Sequence, residues 1–138
     1  GLELSTSYHN FDINLSAAYT YQRAMDKTNP LGTTYNHQLA YTPRHSGSVI
    51  LTLQNKNTGG SINNFASGAY YSNSYNGKEY RMPSYSETGV SFWHNFSVKN
   101  STIQLRAEVI NLFDTRYELV TNYPMPGRQF RIGANITL

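Results

Sequence analysis

Apolar and polar residues alternate with a period of two over most of the chain. In the last nine positions Phe130, Ile132, Ala134, Ile136 and Leu138 alternate without exception with Arg131, Gly133, Asn135 and Thr137. Successive side chains of a strand point to opposite faces, so this segment separates an apolar face from a polar one. Ile13–Tyr21 and Ile103–Val109 repeat the pattern, as does Val90–Val98, where Trp93 breaks the polar side. Leu2–Tyr8 and Val49–Leu53 predict two further strands. A seventh, from Ile62 to Tyr71, has Phe65, Ala69 and Tyr71 on one parity and Ile62 and Tyr70 on the other, which a β-bulge would reconcile. The sequence therefore predicts an all-β protein, an antiparallel up-and-down meander of about seven strands.

The connections alternate in length. His9–Asp12, Asn55–Gly60 and Lys99–Thr102 read as tight turns, while Ala24–Asn36, Ser72–Ser86 and Asp114–Gly127 are long and hold every proline except Pro43. Short turns at one end of a meander and long loops at the other are the pattern of an outer-membrane barrel wall. A soluble barrel or sandwich that binds a ligand would show the same alternation with its apolar face turned inward. Three features favour the membrane. The polar faces carry Gln104, Arg106, Glu108 and Arg131 among Gly and Ser, as suits a wet lumen. Aromatic residues gather near strand ends, at Tyr8, Phe11, Tyr19, Tyr21, Tyr41, Tyr70 and Tyr71, where interfacial girdles would lie. The final strand, left as a bare apolar edge in water, would invite aggregation.

Composition sharpens this picture. Charged residues make up 14 % of the 138, with 12 Tyr against 1 Trp, and Asn, Ser and Thr together reach roughly 30 %, so the polarity is mostly uncharged. A disordered chain would be poor in aromatics and rich in net charge. No apolar run is long enough for a transmembrane helix, which leaves strand-built spans open. The first residues run into strand-like sequence and show no signal-peptide pattern. The net charge of +3 comes from scattered Lys and Arg, not from the clustered patch of a nucleic-acid binder. With no cysteine, thiolate metal sites and cysteine nucleophiles are excluded.

The run Glu108-Val-Ile-Asn-Leu-Phe-Asp-Thr-Arg-Tyr117, followed by Tyr123-Pro-Met-Pro-Gly-Arg128 and the closing strand, resembles the C-terminus of TonB-dependent outer-membrane receptors. Leu39-Ala-Tyr-Thr-Pro-Arg-His45 ahead of an apolar strand is similar to another element of that family. The resemblance implies a 22-stranded barrel filled by an N-terminal plug, importing scarce nutrients such as iron-siderophore, haem or cobalamin with energy coupled through the TonB complex. Residues 1–138 would be the C-terminal segment of the barrel, with plug and remaining strands outside it. Implied partners are outer-membrane lipid, those strands and plug, the TonB complex and the barrel-assembly machinery. For that machinery the closing strand, Phe130, Ile132, Ala134, Ile136 and Leu138, is the expected assembly signal, with Leu138 where the family usually has an aromatic residue.

Seven strands is an odd number, so the first and last would run the same way and could not close antiparallel. Matching apolar faces across the last connection sets Ile110 opposite Arg131 and Glu108 opposite Gly133, with Glu108 diagonal to Arg131.

Chemistry is sparse, and the sequence predicts no enzyme, no metal site and no cofactor. The four histidines, His9, His37, His45 and His94, lack the spacing of a zinc site. A haem ligand from His37 is conceivable, but isolated interface or loop histidines describe all four more simply. Asp26, Glu79, Glu87, Asp114 and Glu118 fall in or beside loops without an apolar pocket to tune a carboxylate pair. Asp114 reads as a turn cap after Phe113. Ligand contact is expected from the loops, with Tyr80, Arg81, Tyr117 and Tyr123 as candidates. Tyr75, Tyr85, Met82 and Met125 add amphipathic surface, and Arg81, Arg116 and Arg128 could meet an anionic siderophore, a haem propionate or lipopolysaccharide.

Overall fold

The computed structural model describes all 138 residues. In chain order the strands are β1 (Leu2–His9), β2 (Ile13–Tyr21), β3 (His45–Gln54), β4 (Thr58–Ser67), β5 (Tyr70–Tyr71), β6 (Arg81–Met82), β7 (Tyr85–Val98), β8 (Ser101–Ile110), β9 (Glu118–Val120), β10 (Tyr123–Pro124) and β11 (Gln129–Thr137). Seven of them form one antiparallel sheet in the order β1-β2-β3-β4-β7-β8-β11, and the short pairs β5–β6 and β9–β10 are ribbons inside two of the long connections. The sheet is an open meander: β1 and β11 run in the same direction and do not pair. The cross-strand row that begins at Tyr8, next to the β1–β2 turn, passes through Leu15, Leu51, Ile62, Val90 and Val109. It ends at Phe130, the second residue of β11. A row that drifts from the turn end to the loop end is the stagger that tilted barrel strands require.

Register assigns every side chain to a face. Leu4, Leu15, Leu51, Ile62, Phe92, Leu105 and Ile132 lie on one face, which continues apolar across all seven strands. Ser5, Ser16, Thr52, Ser61, Ser91, Gln104 and Arg131 lie on the other. Trp93 sits on that polar face because Gly59 stands opposite it. A Cβ on Gly59 would fall 2.2 Å from the indole, so the ring lies flat where a side chain is missing, and the Arg106 guanidinium stands 5.4 Å from the ring centroid.

Only eight of 138 residues are buried, and among them Gln38, Tyr70, Met82 and Asn111 belong to the long connections or their ribbons. The buried apolar residues, Tyr70 and Met82, lie in the loop layer, and the other four buried positions, Gly59, Ser67, Thr88 and Gly89, are small residues of β4 and β7, so the apolar face of the sheet stays open. Leu4, Val49, Phe92, Leu105 and Ile132 are all exposed. An apolar face of this extent is far larger than a water-soluble monomer tolerates. The 138-residue chain expressed alone is therefore expected to need detergent, and to sediment as an aggregate or oligomer without it. A stable detergent-free monomer in the ultracentrifuge would contradict this.

The structure corrects several sequence expectations. β11 pairs with β8 two residues away from the expected register: Arg131 lies directly opposite Glu108, Gly133 opposite Arg106 and Gln129 opposite Ile110. A two-residue slip leaves every side chain on its expected face, so alternation fixes parity and not register. No bulge is needed in the fourth strand, whose pairing runs unbroken from Thr58 to Ser67. The mixed parity arises because the chain leaves the sheet after Ser67 and Tyr70 belongs to a separate ribbon. β3 and β7 begin earlier than expected, at His45 and Tyr85, because the residues that follow, Ser-Gly-Ser48 and Ser-Glu-Thr-Gly89, blur the apolar signal. Tyr70 is no girdle residue: it is 4 % exposed within the loop layer.

Candidate ligand-facing mouth

The three long connections lie at one end of the sheet and fasten to one another. In the first, between β2 and β3, Asp26 accepts hydrogen bonds from the Thr28 backbone at 2.9 Å and the Thr34 hydroxyl at 2.5 Å. Those bonds, with Thr34 the larger cause, hold its carboxyl below the usual carboxylate range. This connection is clasped to the second, between β4 and β7, by Asn76, whose amide accepts the Gln38 N–H at 2.6 Å and donates to the Gln38 carbonyl at 2.9 Å. Asn76 has φ 57°, a left-handed conformation that asparagine tolerates better than most residues. The Tyr41 N–H donates to the Tyr71 carbonyl at 2.7 Å, and His37 is bonded through Nδ1 to the Ser74 carbonyl at 3.1 Å.

The second connection meets the third, between β8 and β11, through the Tyr70 hydroxyl, which donates to the Leu119 carbonyl at 3.0 Å and the Glu118 carbonyl at 3.2 Å. Burial pushes the Tyr70 phenol above its usual ionisation range. At the base of the third connection Asn111, 1 % exposed, donates to the carbonyls of Thr115 and Pro126 and accepts the Thr115 N–H. Asp114 caps across the loop, accepting the Arg128 N–H at 2.8 Å, which is a longer reach than the local turn cap expected from sequence. A Cβ on Gly127 would fall 2.5 Å from that Asp114 oxygen. The Asn-Leu-Phe-Asp and Pro-Gly-Arg elements are thus the two halves of one loop closure.

On the polar face, this layer turns inward at Tyr117. Its ring stacks on Tyr85 at 4.2 Å with planes 8° apart, and its hydroxyl donates to Glu87 at 2.5 Å. Phe65 extends the cluster at 6.0 Å from Tyr85. Burial, followed by the Glu87 carboxylate, pushes the Tyr117 phenol well above its usual range. A phenol raised in the folded state gives a contribution present below its unfolded pKa and lost as pH climbs through the folded one. The clasp is therefore expected to hold up to about pH 10 and weaken only above it. Subtracting the alkaline phenolate spectrum of Tyr117→Phe from that of the parent should isolate one late-titrating tyrosine. Glu87→Gln should bring that titration earlier, and an unmoved titration would contradict the contact.

The sequence candidates divide. Tyr80 and Tyr123 are exposed, and Arg81 in β6 lies opposite Tyr71. Tyr117 is half-buried against the wall and brings Tyr85 and Glu87 with it. The role of those two was hidden because the start of β7 read as loop. Arg81, Arg116 and Arg128 form no ion pair, whereas Glu108 bridges Arg106 at 2.7 Å and Arg131 at 3.3 Å further down the polar face. That contact occurs on the expected face, but straight across the strands instead of diagonally. Exposed pairs of this kind contribute about 0–1 kcal/mol each.

A staggered, two-faced strand meander with short turns at one end and an interlocked loop layer at the other is a segment of a transmembrane β-barrel wall. The family model described as TonB dependent receptor-like, beta-barrel, matches residues 1–112. The chain belongs to this family of bacterial outer-membrane proteins. A search of curated proteins by sequence gave no match. Among solved structures, the chain is similar to BauA, the ferric preacinetobactin receptor from Acinetobacter baumannii, with TM-score 0.83 and 16 % identity over 96 % of this chain and 21 % of that one. It is also similar to the ferric-catecholate import receptor Fiu from K12 E. coli (TM-score 0.76, 22 % identity, 96 % and 20 % covered). The ferric citrate transporter FecA gives TM-score 0.75 and 20 % identity, with 91 % and 21 % covered. The chain spans about a fifth of each of these proteins. Family membership decides between the two readings that alternation left open: the apolar face meets lipid and the polar face the lumen.

Proposed function

We propose that this chain is the C-terminal segment of the barrel of a receptor that imports an iron-siderophore through the outer membrane with energy supplied by TonB. Plug and remaining strands are contributed by the rest of such a receptor, and the alternating Phe130–Leu138 face is read by the barrel-assembly machinery. The observation that carries the substrate class is the mouth itself. Arg81, Arg116 and Arg128 have no ion-pair partner and lie in connections fastened together over an aromatic-lined lumen wall. Guanidinium groups bind carboxylate- or catecholate-bearing anions with directional hydrogen bonds, and Tyr80 and Tyr123 add exposed aromatic surface beside them. The similarity to receptors whose names specify ferric siderophores supports the same reading.

The test is uptake by cells that carry the full receptor as their only route, of radio-iron supplied as ferric catecholate, ferric citrate or haem and of radio-cobalt supplied as cobalamin. A ferric siderophore should enter in a TonB-dependent manner, and the triple change Arg81→Ala, Arg116→Ala, Arg128→Ala should lower that uptake at least severalfold with the barrel still folded. Transport of haem or cobalamin with no ferric siderophore accepted would overturn the substrate class.

A further inference from the structure

We propose that the lumen wall at the loop end of β7 holds a cation-binding subsite, Glu87 with the rings of Tyr117, Tyr85 and Phe65, that takes a protonated amine carried by the ferric ligand. This rests on the reading of the mouth as a ferric-siderophore site and adds a second sign of charge to what it recognises. Glu87 and Tyr85 are two residues apart on β7 and share the polar face, and Phe65 stands directly opposite Glu87 on β4. Tyr117 reaches them from the third connection, stacks on Tyr85 with ring centroids 4.2 Å apart, and donates its hydroxyl to one Glu87 oxygen at 2.5 Å. The other Glu87 oxygen accepts no hydrogen bond from the protein, although a carboxylate can accept several. Glu87 also has no ion-pair partner, since the salt bridges of this chain join Glu108 to Arg106 and Arg131.

The chemistry of the cluster selects an organic cation. An aromatic face attracts positive charge, and a phenol that donates to a carboxylate has a more electron-rich ring. The face of Tyr117 away from Tyr85 has no cation of this chain over it: Lys27 stands over Tyr35 at 5.0 Å and Arg106 over Trp93 at 5.4 Å. Phe65 is 44 % exposed, so the cluster is open to the lumen. A hydrated metal ion would need several more oxygen ligands, and no group of three His, Asp or Glu surrounds Glu87. An ammonium on a carbon chain needs fewer: the free Glu87 oxygen for its N–H groups and the rings for its charge and adjoining methylenes. Arg116 immediately precedes Tyr117, so one short stretch of the third connection carries an anion-seeking group beside the ring of the cation subsite.

The test measures equilibrium binding of radio-iron probes to the purified full-length receptor in detergent. The probes are a ferric tris-catecholate and a ferric citrate-type chelate, each bearing one primary amine that is either free or acetylated. The mouth arginines alone would favour the acetylated form, whose net negative charge is larger. The parent should instead bind the free-amine form of its preferred chelate about tenfold more tightly, as an ammonium held by a partly desolvated ring and carboxylate would be. Glu87→Gln keeps an acceptor for the Tyr117 hydroxyl and removes the charge, and it should bring the two forms to within about twofold of each other. Tyr117→Leu, which removes the ring, should lower the preference in the same direction. Heat-modifiable migration verifies a folded barrel in each variant. Equal binding of both forms by the parent, or a preference that survives Glu87→Gln in a folded barrel, would overturn the subsite and leave the ferric-siderophore reading standing. Binding of none of the probes would overturn that reading and the subsite with it.

Discussion

Leu105→Arg is expected to destabilise the assembled barrel by about 2–4 kcal/mol, while Gln104→Arg, one residue away, changes stability by about 0.5 kcal/mol or less. Leu105 lies mid-strand on the apolar face, between His94 on β7 and Ala134 on β11, and is exposed. A guanidinium placed there must enter hydrocarbon or drag water and headgroups inward. Gln104 faces the lumen, where its amide donates to Asn95 at 2.9 Å, and an arginine there stays hydrated beside Arg106. Urea unfolding of the full receptor in lipid vesicles measures both. Equal effects, or a larger one at Gln104, would mean that the face assignment is inverted.

Asn111→Ala should cost about 3 kcal/mol, a large effect for a residue outside the membrane span. Its side chain closes the third long connection with three hydrogen bonds and is 1 % exposed, so removing it strands the Thr115 N–H and two carbonyls away from water. Its backbone sits at φ 52°, where alanine is disfavoured by roughly 1–2 kcal/mol and asparagine by less. Asn111→Asp keeps the acceptor and the left-handed preference but aims a carboxylate at two carbonyl oxygens, so a loss of similar size is expected. Calorimetry of the full receptor, with protease cutting between Asn111 and Arg128 as a local readout, checks both. A neutral Asn111→Ala would show that the loop is held elsewhere.

Much of this was legible in the sequence because strand alternation is a local code. Parity along Ile103–Val109 and Phe130–Leu138 is enough to sort side chains between faces, and the lengths of the connections are enough to set which end carries the loops. Register escaped it. The Arg131–Glu108 pairing is set by how Asn111, Asp114 and Arg128 close an intervening connection, and a slip of two residues leaves the alternation unchanged. The mouth escaped it for the same reason. Glu87 and Tyr117 are thirty residues apart in the chain, and only their contact shows that the start of β7 is wall and that Tyr117 lies against it.

The sequence by itself determined a seven-stranded meander with one apolar and one polar face, because each strand states its own two faces through local geometry. Tertiary structure alone decided the cross-strand register and the fastening of three loops into the layer that buries Tyr70 and Met82. It also decided the cluster that Phe65, Tyr85, Glu87 and Tyr117 make when two strands and a loop bring them side by side. Each of these depends on pairs of residues far apart in the chain, and alternation along a single strand carries no information about its neighbour.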